Sequence, residues 1–159
     1  MQEIRNYIDK LSHLQYINDS NYYYLEEGRL PLATLKYSRQ REAIKDYLSS
    51  TTSHPTADIV YTSVKQEFPN ISLGTVYRNL NLLATIGEAI KITTPDGADR
   101  FDATTAQHYH FYCRECGAVI DMDMNPMSEL DQHASSHFGG TIETHTVLFS
   151  GICEKCKNK

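Results

Sequence analysis

Residues 72–102 read SLGTVYRNLNLLATIGEAIKITTPDGADRFD, and the change of period inside this run decides the fold. Leu73, Val76, Leu80 and Leu83 recur at helical spacing from an N-capping Ser72 to about Ile86, and Gly87 stands where a left-handed C′ residue ends a helix. Ala89-Ile90-Lys91-Ile92-Thr93 then alternates as a strand, Asp96-Gly97 marks a turn, and Arg100-Phe101-Asp102 begins the return strand. A helix followed by a two-stranded hairpin is the second half of a winged helix-turn-helix. Its helix would lie in a major groove and expose Ser72, Thr75, Tyr77, Arg78 and Asn79, the expected contacts to double-stranded DNA.

Toward the N-terminus, Ser38 caps a helix over Arg39 to Ser50 with Ala43, Ile44, Tyr47 and Leu48 facing inward. His54-Pro55 ends the connection, Thr56 caps a second helix with Val60, Val64 and Phe68 at every fourth residue, and Pro69 closes it. Residues 38–102 therefore read as a winged-helix DNA-binding domain, although a plain helical subdomain would share the helix order. Residues 1–37 form a Tyr-rich N-terminal extension to which no role is assigned. A helix over Met1 to Leu14 through Ile4, Ile8 and Leu11 is expected there, broken by Asn18-Asp19-Ser20-Asn21 and then by Gly28 and Pro31.

Toward the C-terminus, residues 103–159 read as β-rich with one helix. Strands are expected over His108 to Cys113, Gly117 to Asp123 and Thr141 to Gly151, and a helix over Pro126 to Phe138 carrying Met127, Leu130 and Ala134. The fold class is α+β: an N-terminal winged helix-turn-helix and a C-terminal α/β domain.

All four cysteines fall in that second domain, as Cys113-x-x-Cys116 and Cys153-x-x-Cys156. Each pair sits on a tight knuckle that aims two thiolates at one centre, and four soft thiolates make a closed tetrahedral zinc site, structural rather than catalytic. Two structural disulfides are the alternative in an exported chain, and the amphipathic, charged start MQEIRNYIDKLSHLQYI has no secretory apolar core. A cytoplasmic location is expected, and no run of 18 apolar residues marks a membrane span.

His108-Tyr109-His110 alternates as on a strand, which points both imidazoles to one face. With Asp102 upstream and Asp121 downstream, two nitrogens and two hard oxygens suit Fe(II), Mn(II) or Zn(II), though His-x-His is also a common surface or packing feature. Net charge is −5, but Lys36 to Asn79 carries six basic residues against four acids, while Asp102 to Lys159 carries four against eight. That split permits DNA binding by the first part and does not establish it.

These residues together resemble the ferric uptake regulator (Fur) family. The matching runs are His54-Pro55-Thr56-Ala57-Asp58, Ile71-Ser72-Leu73-Gly74-Thr75-Val76-Tyr77-Arg78-Asn79-Leu80, Arg100-Phe101-Asp102, His108-Tyr109-His110 and both cysteine pairs, spanning roughly Leu35 to Lys157. The resemblance implies a homodimeric, metal-dependent transcriptional repressor whose second domain dimerises. It implies a near-palindromic operator, one structural zinc per chain and one regulatory Fe2+ or Mn2+ per chain on His54, Asp102, His108, His110 and Asp121. A cation tying His54 in the helical half to the others would fix the angle between halves, and so the spacing of two recognition helices.

Asp121 with His-Tyr-His resembles the peroxide-sensing branch, in which peroxide reduced at an Fe(II) site oxidises a ligand histidine, here His54 or His108, to its 2-oxo form. Arg78 beside Tyr77 is instead similar to iron-uptake members, so an iron- or zinc-responsive regulator of metal uptake is the competing reading. The family's auxiliary metal site looks incomplete: His145 matches a ligand, but Ser128 stands where Glu is expected, with Glu129 adjacent. His133 and His137 read as surface or packing residues. A small metallohydrolase is a remote third reading, for which neither a His-Glu-x-x-His helix nor a Gly-rich phosphate loop is present.

Overall fold

Three helices begin on side-chain caps. In the computed structural model, which describes residues 37–159, α1 is Arg39–Ser49, α2 is Ala57–Val64 and α3 is Leu73–Thr85. Ser38, Thr56 and Ser72 have extended backbones, and their hydroxyls accept from the N–H groups of Arg41, Ile59 and Thr75. Gly87, with φ of 75°, ends α3 in the left-handed region that a side chain would resist. The extension expected over residues 1–37, with its helix over Met1 to Leu14, lies outside the described residues except for Tyr37.

A hairpin of β1 (Ile90–Thr93) and β2 (Asp99–Asp102) follows, in the register Ile90 to Asp102 and Ile92 to Arg100. Ile44, Leu48, Val60, Val76, Leu80, Leu83 and Phe101 form one dry core between the helices and this hairpin. Burying a side chain as large as Phe101 contributes about 2–3 kcal/mol. With Phe101 turned into the core, strand alternation turns Arg100 and Asp102 the other way. The hairpin is also tied to the His54 loop, through a bridge between Thr56 and Arg100 and a 3.1 Å bond from Phe101 N–H to the Pro55 carbonyl.

The second half is a three-stranded mixed sheet in the order β4-β3-β5, with β3 His110–Cys113, β4 Val119–Asp121 and β5 Leu148–Gly151. β4 runs antiparallel to β3, pairing Asp121 with His110, and β5 runs parallel to it, pairing Gly151 with Cys113. Helix α4 is Ser128–Ser136, and a single-turn α5, Glu154–Lys157, follows Cys153. Ile92 of the hairpin packs with Tyr112 and Val119 of the sheet, a small apolar contact between the halves.

Three expectations are corrected. The strand expected over Thr141 to Gly151 is regular only from Leu148, where pairing with β3 begins. The strand expected from His108 starts at His110, although the Met122 N–H still reaches the Tyr109 carbonyl at 2.9 Å. Asn79 was expected on the outward face of α3, yet it is only 9% exposed, and its Nδ2 donates to the Thr75 carbonyl at 2.9 Å. It lies three residues from Val76 and one from Leu80, inside the buried stripe of a 3.6-residue period.

Candidate metal centres

Five side chains from four places in the chain converge where the two halves meet. His54 comes from the loop before α2, Asp102 from the end of β2, His108 and His110 from the run into β3, and Asp121 from the β4 residue paired with His110. One donor atom from each lies within 4.8 Å of all the others. His54 Nε2 is 2.8 Å from Asp121 Oδ1 and 3.7 Å from Asp102 Oδ2. His108 Nε2 lies 3.1 Å, and His110 Nε2 3.5 Å, from Asp102 Oδ2. Asp121 Oδ1 is 3.3 Å and 3.5 Å from the same two nitrogens.

The polarity of this cluster fits a divalent cation. The three Nε2 atoms and Asp102 Oδ2 are buried, and none has an aligned hydrogen-bond partner. Such groups are costly to bury without something to satisfy them. His108 Nδ1 lies 2.7 Å from the Ala106 carbonyl, which can only accept, so the proton sits on Nδ1 and the Nε2 lone pair faces inward. Asp102 is oriented in the same way, its Oδ1 accepting from the Thr104 N–H at 2.8 Å. A centre of nitrogen lone pairs and carboxylate oxygens, three rings and two carboxyls, is an N/O donor set for a transition-metal ion.

Electrostatics carry the same signature. Burial opposes a charged His54, but the Asp102 and Asp121 carboxylates outweigh it and hold its pKa above the ordinary histidine value. Burial likewise opposes a charged Asp102, yet His110, His54 and the Thr104 N–H together hold it far below the usual carboxylate range. His54 is also the one described non-glycine residue with positive φ, 49°, directly before a proline. A left-handed backbone costs a side chain roughly 1–2 kcal/mol, and strain of this kind collects at functional sites.

Cys113, Cys116, Cys153 and Cys156 form the second cluster, all four as free thiols. Cys116 Sγ and Cys153 Sγ are 3.9 Å apart, close to the edge, about 3.8 Å, of a tetrahedron with Zn–S bonds of about 2.3 Å. The Cys153 N–H donates to Cys113 Sγ at 3.3 Å and helps pull that thiol down to about 6. Hydrogen bonding with Cys153 and burial push Cys156 up to about 12. Opposite shifts of this kind are expected of thiols that cannot all ionise without a cation between them. Gly117, with φ of 68°, turns the first knuckle, and a side chain there would meet the Arg100 guanidinium and Asp96.

The remaining sequence-predicted residues are placed as follows. Ser72 and Thr75 spend their hydroxyls on the α3 cap, 2.8 Å apart, and Arg78 Nη2 donates to Thr75 Oγ1 at 3.4 Å. Tyr77 and Arg78 stay on the exposed face, while Asn79 does not. His133 and His137 are exposed and lie against each other, ring centroids 4.6 Å apart with the planes tilted by 54°. His145 joins neither cluster, because both ring nitrogens have protein partners, Tyr109 Oη and Asp131 Oδ1, each at 2.7 Å. Sequence reasoning missed this chain of contacts, and also the placing of Asp96, in the hairpin turn, beside Tyr112 of β3. No local pattern announces pairs so far apart in sequence.

Comparison with known proteins agrees with this architecture. The signature of the ferric uptake regulator family matches residues 33–150. The peroxide-responsive repressor of Staphylococcus aureus (strain Mu50 / ATCC 700699) is 36% identical over 137 residues, covering 85% of this chain and 93% of its own length. The peroxide stress regulator of Campylobacter jejuni superposes with a TM-score of 0.65 at 30% identity, over 74% of this chain and 88% of that one. The Helicobacter pylori ferric uptake regulator superposes with a TM-score of 0.67 over 77% of this chain and 83% of that one, and at 23% identity it speaks for the fold alone. Family members are transcriptional regulators rather than enzymes, and they bind DNA, usually as dimers. The chain belongs to the ferric uptake regulator family of metal-responsive regulators.

Proposed function

We propose that this chain is a dimeric, metal-dependent transcriptional repressor that senses peroxide through oxidation of a ligand histidine. The observation that carries the reading is the five-residue cluster, with orphaned Nε2 atoms on residues from both halves of the chain. His54, Asp102, His108, His110 and Asp121 would hold one Fe2+ or Mn2+, and the four cysteines one structural Zn2+. Residues 38–102 act as the winged-helix DNA-binding domain and 103–159 as the dimerisation domain. Tyr77, Arg78, Thr75 and Ser72 reach the duplex, Arg78 reading bases.

The residues do the coupling. His54 rides on the helical half, held by the Thr56–Arg100 bridge, while His110 and Asp121 are a register pair of the sheet. A cation shared among them favours the one relative placement in which all five donors meet, and a dimer so fixed presents two recognition helices to successive major grooves. When bound, Fe(II) supplies the electrons that reduce peroxide beside these rings, with a 2-oxo form of His54 or His108 as the expected product. Loss of either ring's donor atom frees the helical half and ends repression. The exposed apolar side chains of the sheet half, Met127, Leu130, Phe138, Phe149 and Ile152, support dimerisation through that half. Similarity to peroxide-responsive repressors supports the peroxide signal.

The test is treatment of the Fe(II)-loaded protein with stoichiometric peroxide, followed by peptide mass analysis and a DNA gel shift. A gain of one oxygen atom on a peptide containing His54 or His108, together with release of DNA, is expected. Intact peptides with DNA binding preserved would leave the metal-uptake regulator as the function.

A further inference from the structure

Tyr109 stands between the two histidines of the His-x-His run and points the other way, into the sheet half, where it is 2% exposed. Its hydroxyl accepts from the Met127 N–H at 2.8 Å, at the start of α4. It also lies 2.7 Å from His145 Nε2, and His145 Nδ1 lies 2.7 Å from Asp131 Oδ1 on α4. The protons in this chain are fixed by elimination. A carboxylate only accepts, so His145 carries its proton on Nδ1; its Nε2 is then an acceptor, and Tyr109 must donate to it. The Met127 N–H, the Tyr109 hydroxyl and both ring nitrogens of His145 are thereby satisfied, and the His145 lone pair is taken up by the tyrosine proton.

We infer that Tyr109 is a positioning residue for the regulatory site, held by a hydrogen-bond relay through His145 to Asp131 on α4, and that this relay fixes where His108 and His110 place their Nε2 atoms. The inference rests on the reading of the five-residue cluster as a metal site. The run at His108 and Tyr109 precedes the regular part of β3, so strand pairing alone does not hold it. What holds it is the Met122 bond to the Tyr109 carbonyl and the relay on its side chain. Since α4 has no buried residue within the chain, the same relay joins the cation site to an element with an exposed face. Groups one contact removed from metal ligands commonly change metal affinity about 10- to 100-fold when removed.

The experiment uses the zinc-loaded full chain, titrated with Mn(II) alone and followed by the EPR signal of the free ion. Tyr109→Phe keeps the ring and removes the hydroxyl, while His145→Ala lies outside the donor cluster and spares the Tyr109 side chain. Each is expected to weaken Mn(II) binding about tenfold, and the double variant no further, because both break one relay. Imidazole 15N NMR is expected to show His145 with its proton on Nδ1 in both chains, and its unprotonated Nε2 resonance shifted in Tyr109→Phe, where that nitrogen loses the hydrogen bond from the tyrosine hydroxyl. Unchanged Mn(II) affinity in both single variants, or losses that add in the double, overturns the relay while leaving the metal site standing. A parent chain that takes up no Mn(II) overturns the metal reading and this inference with it.

Discussion

His54 Nε2 and Asp121 Oδ1 lie 2.8 Å apart, although one belongs to the loop before α2 and the other to the edge strand of the far sheet. Without a cation, that contact depends on a proton on the ring. With one, both atoms become donors to the same centre.

Replacing His54 with Ala should therefore abolish the increase in operator affinity that Mn(II) produces, while zinc content stays at one per chain. Allosteric coupling of this kind is typically about 5- to 150-fold. Fluorescence anisotropy with a labelled operator, with and without Mn(II), measures it. A full Mn(II) response in His54→Ala would contradict a bridging role for this residue.

The pH dependence follows from the same pair. His54 has a raised pKa in the folded chain, so its contribution to stability is complete below the ordinary histidine value, about 6.5, and is lost as pH rises through the folded value. Asp102 is depressed, so its contribution is present above the ordinary carboxyl value, about 3.9, and disappears only in stronger acid. With zinc retained and no Mn(II), Tm is expected to fall as pH rises above about 6.5, through loss of the His54 proton. Added Mn(II) should reverse the slope, because protons compete with it for the rings. Differential scanning calorimetry at fixed zinc would show both trends.

Arg78 and Asn79 are neighbours on α3 with opposite surroundings, one exposed and one buried. Arg78→Ala should cost about 1–3 kcal/mol on operator DNA and less on random DNA. Asn79→Ala should instead lower stability by about 1 kcal/mol through the lost bond to the Thr75 carbonyl, leaving the affinity of the folded protein nearly unchanged. Equal losses on operator and random DNA for Arg78→Ala would remove its base-reading role.

Cys153→Ser should eliminate zinc and with it the cooperative unfolding of the sheet half. The Cys153 sulfur and its N–H both belong to the cluster, and structural zinc sites contribute folding free energy directly. Metal analysis with near-ultraviolet circular dichroism tests this. Retention of one zinc with native dichroism would show that three thiolates suffice.

The sequence was most legible where a period or a cap dictates the backbone. Ser38, Thr56 and Ser72 begin their helices as expected, and the strands flanking Asp96-Gly97 close as a hairpin. The cysteine pairs were legible because their spacing alone brings two sulfurs to one point. Gathering the five N/O donors needed the family resemblance, since His54 lies in a different half from His108, His110 and Asp121, far in sequence from Asp102, and carries no local signal. Asn79 was misread because polarity suggested the outside while helical phase places it inside. The short extent of β5 and the Tyr109 contacts were illegible for another reason: both depend on which distant segment lies alongside.

Strand β3 begins with His110 and ends with Cys113, so a single four-residue ribbon carries a hard basket at one end and a soft one at the other. Roughly 10 Å of extended backbone separates them, enough that the two cannot trade ligands, yet too short to flex independently. Zinc starvation should thus weaken Mn(II) uptake at the five-donor cluster as well as loosen the sheet: with Cys113 unanchored, the ribbon would no longer aim His110.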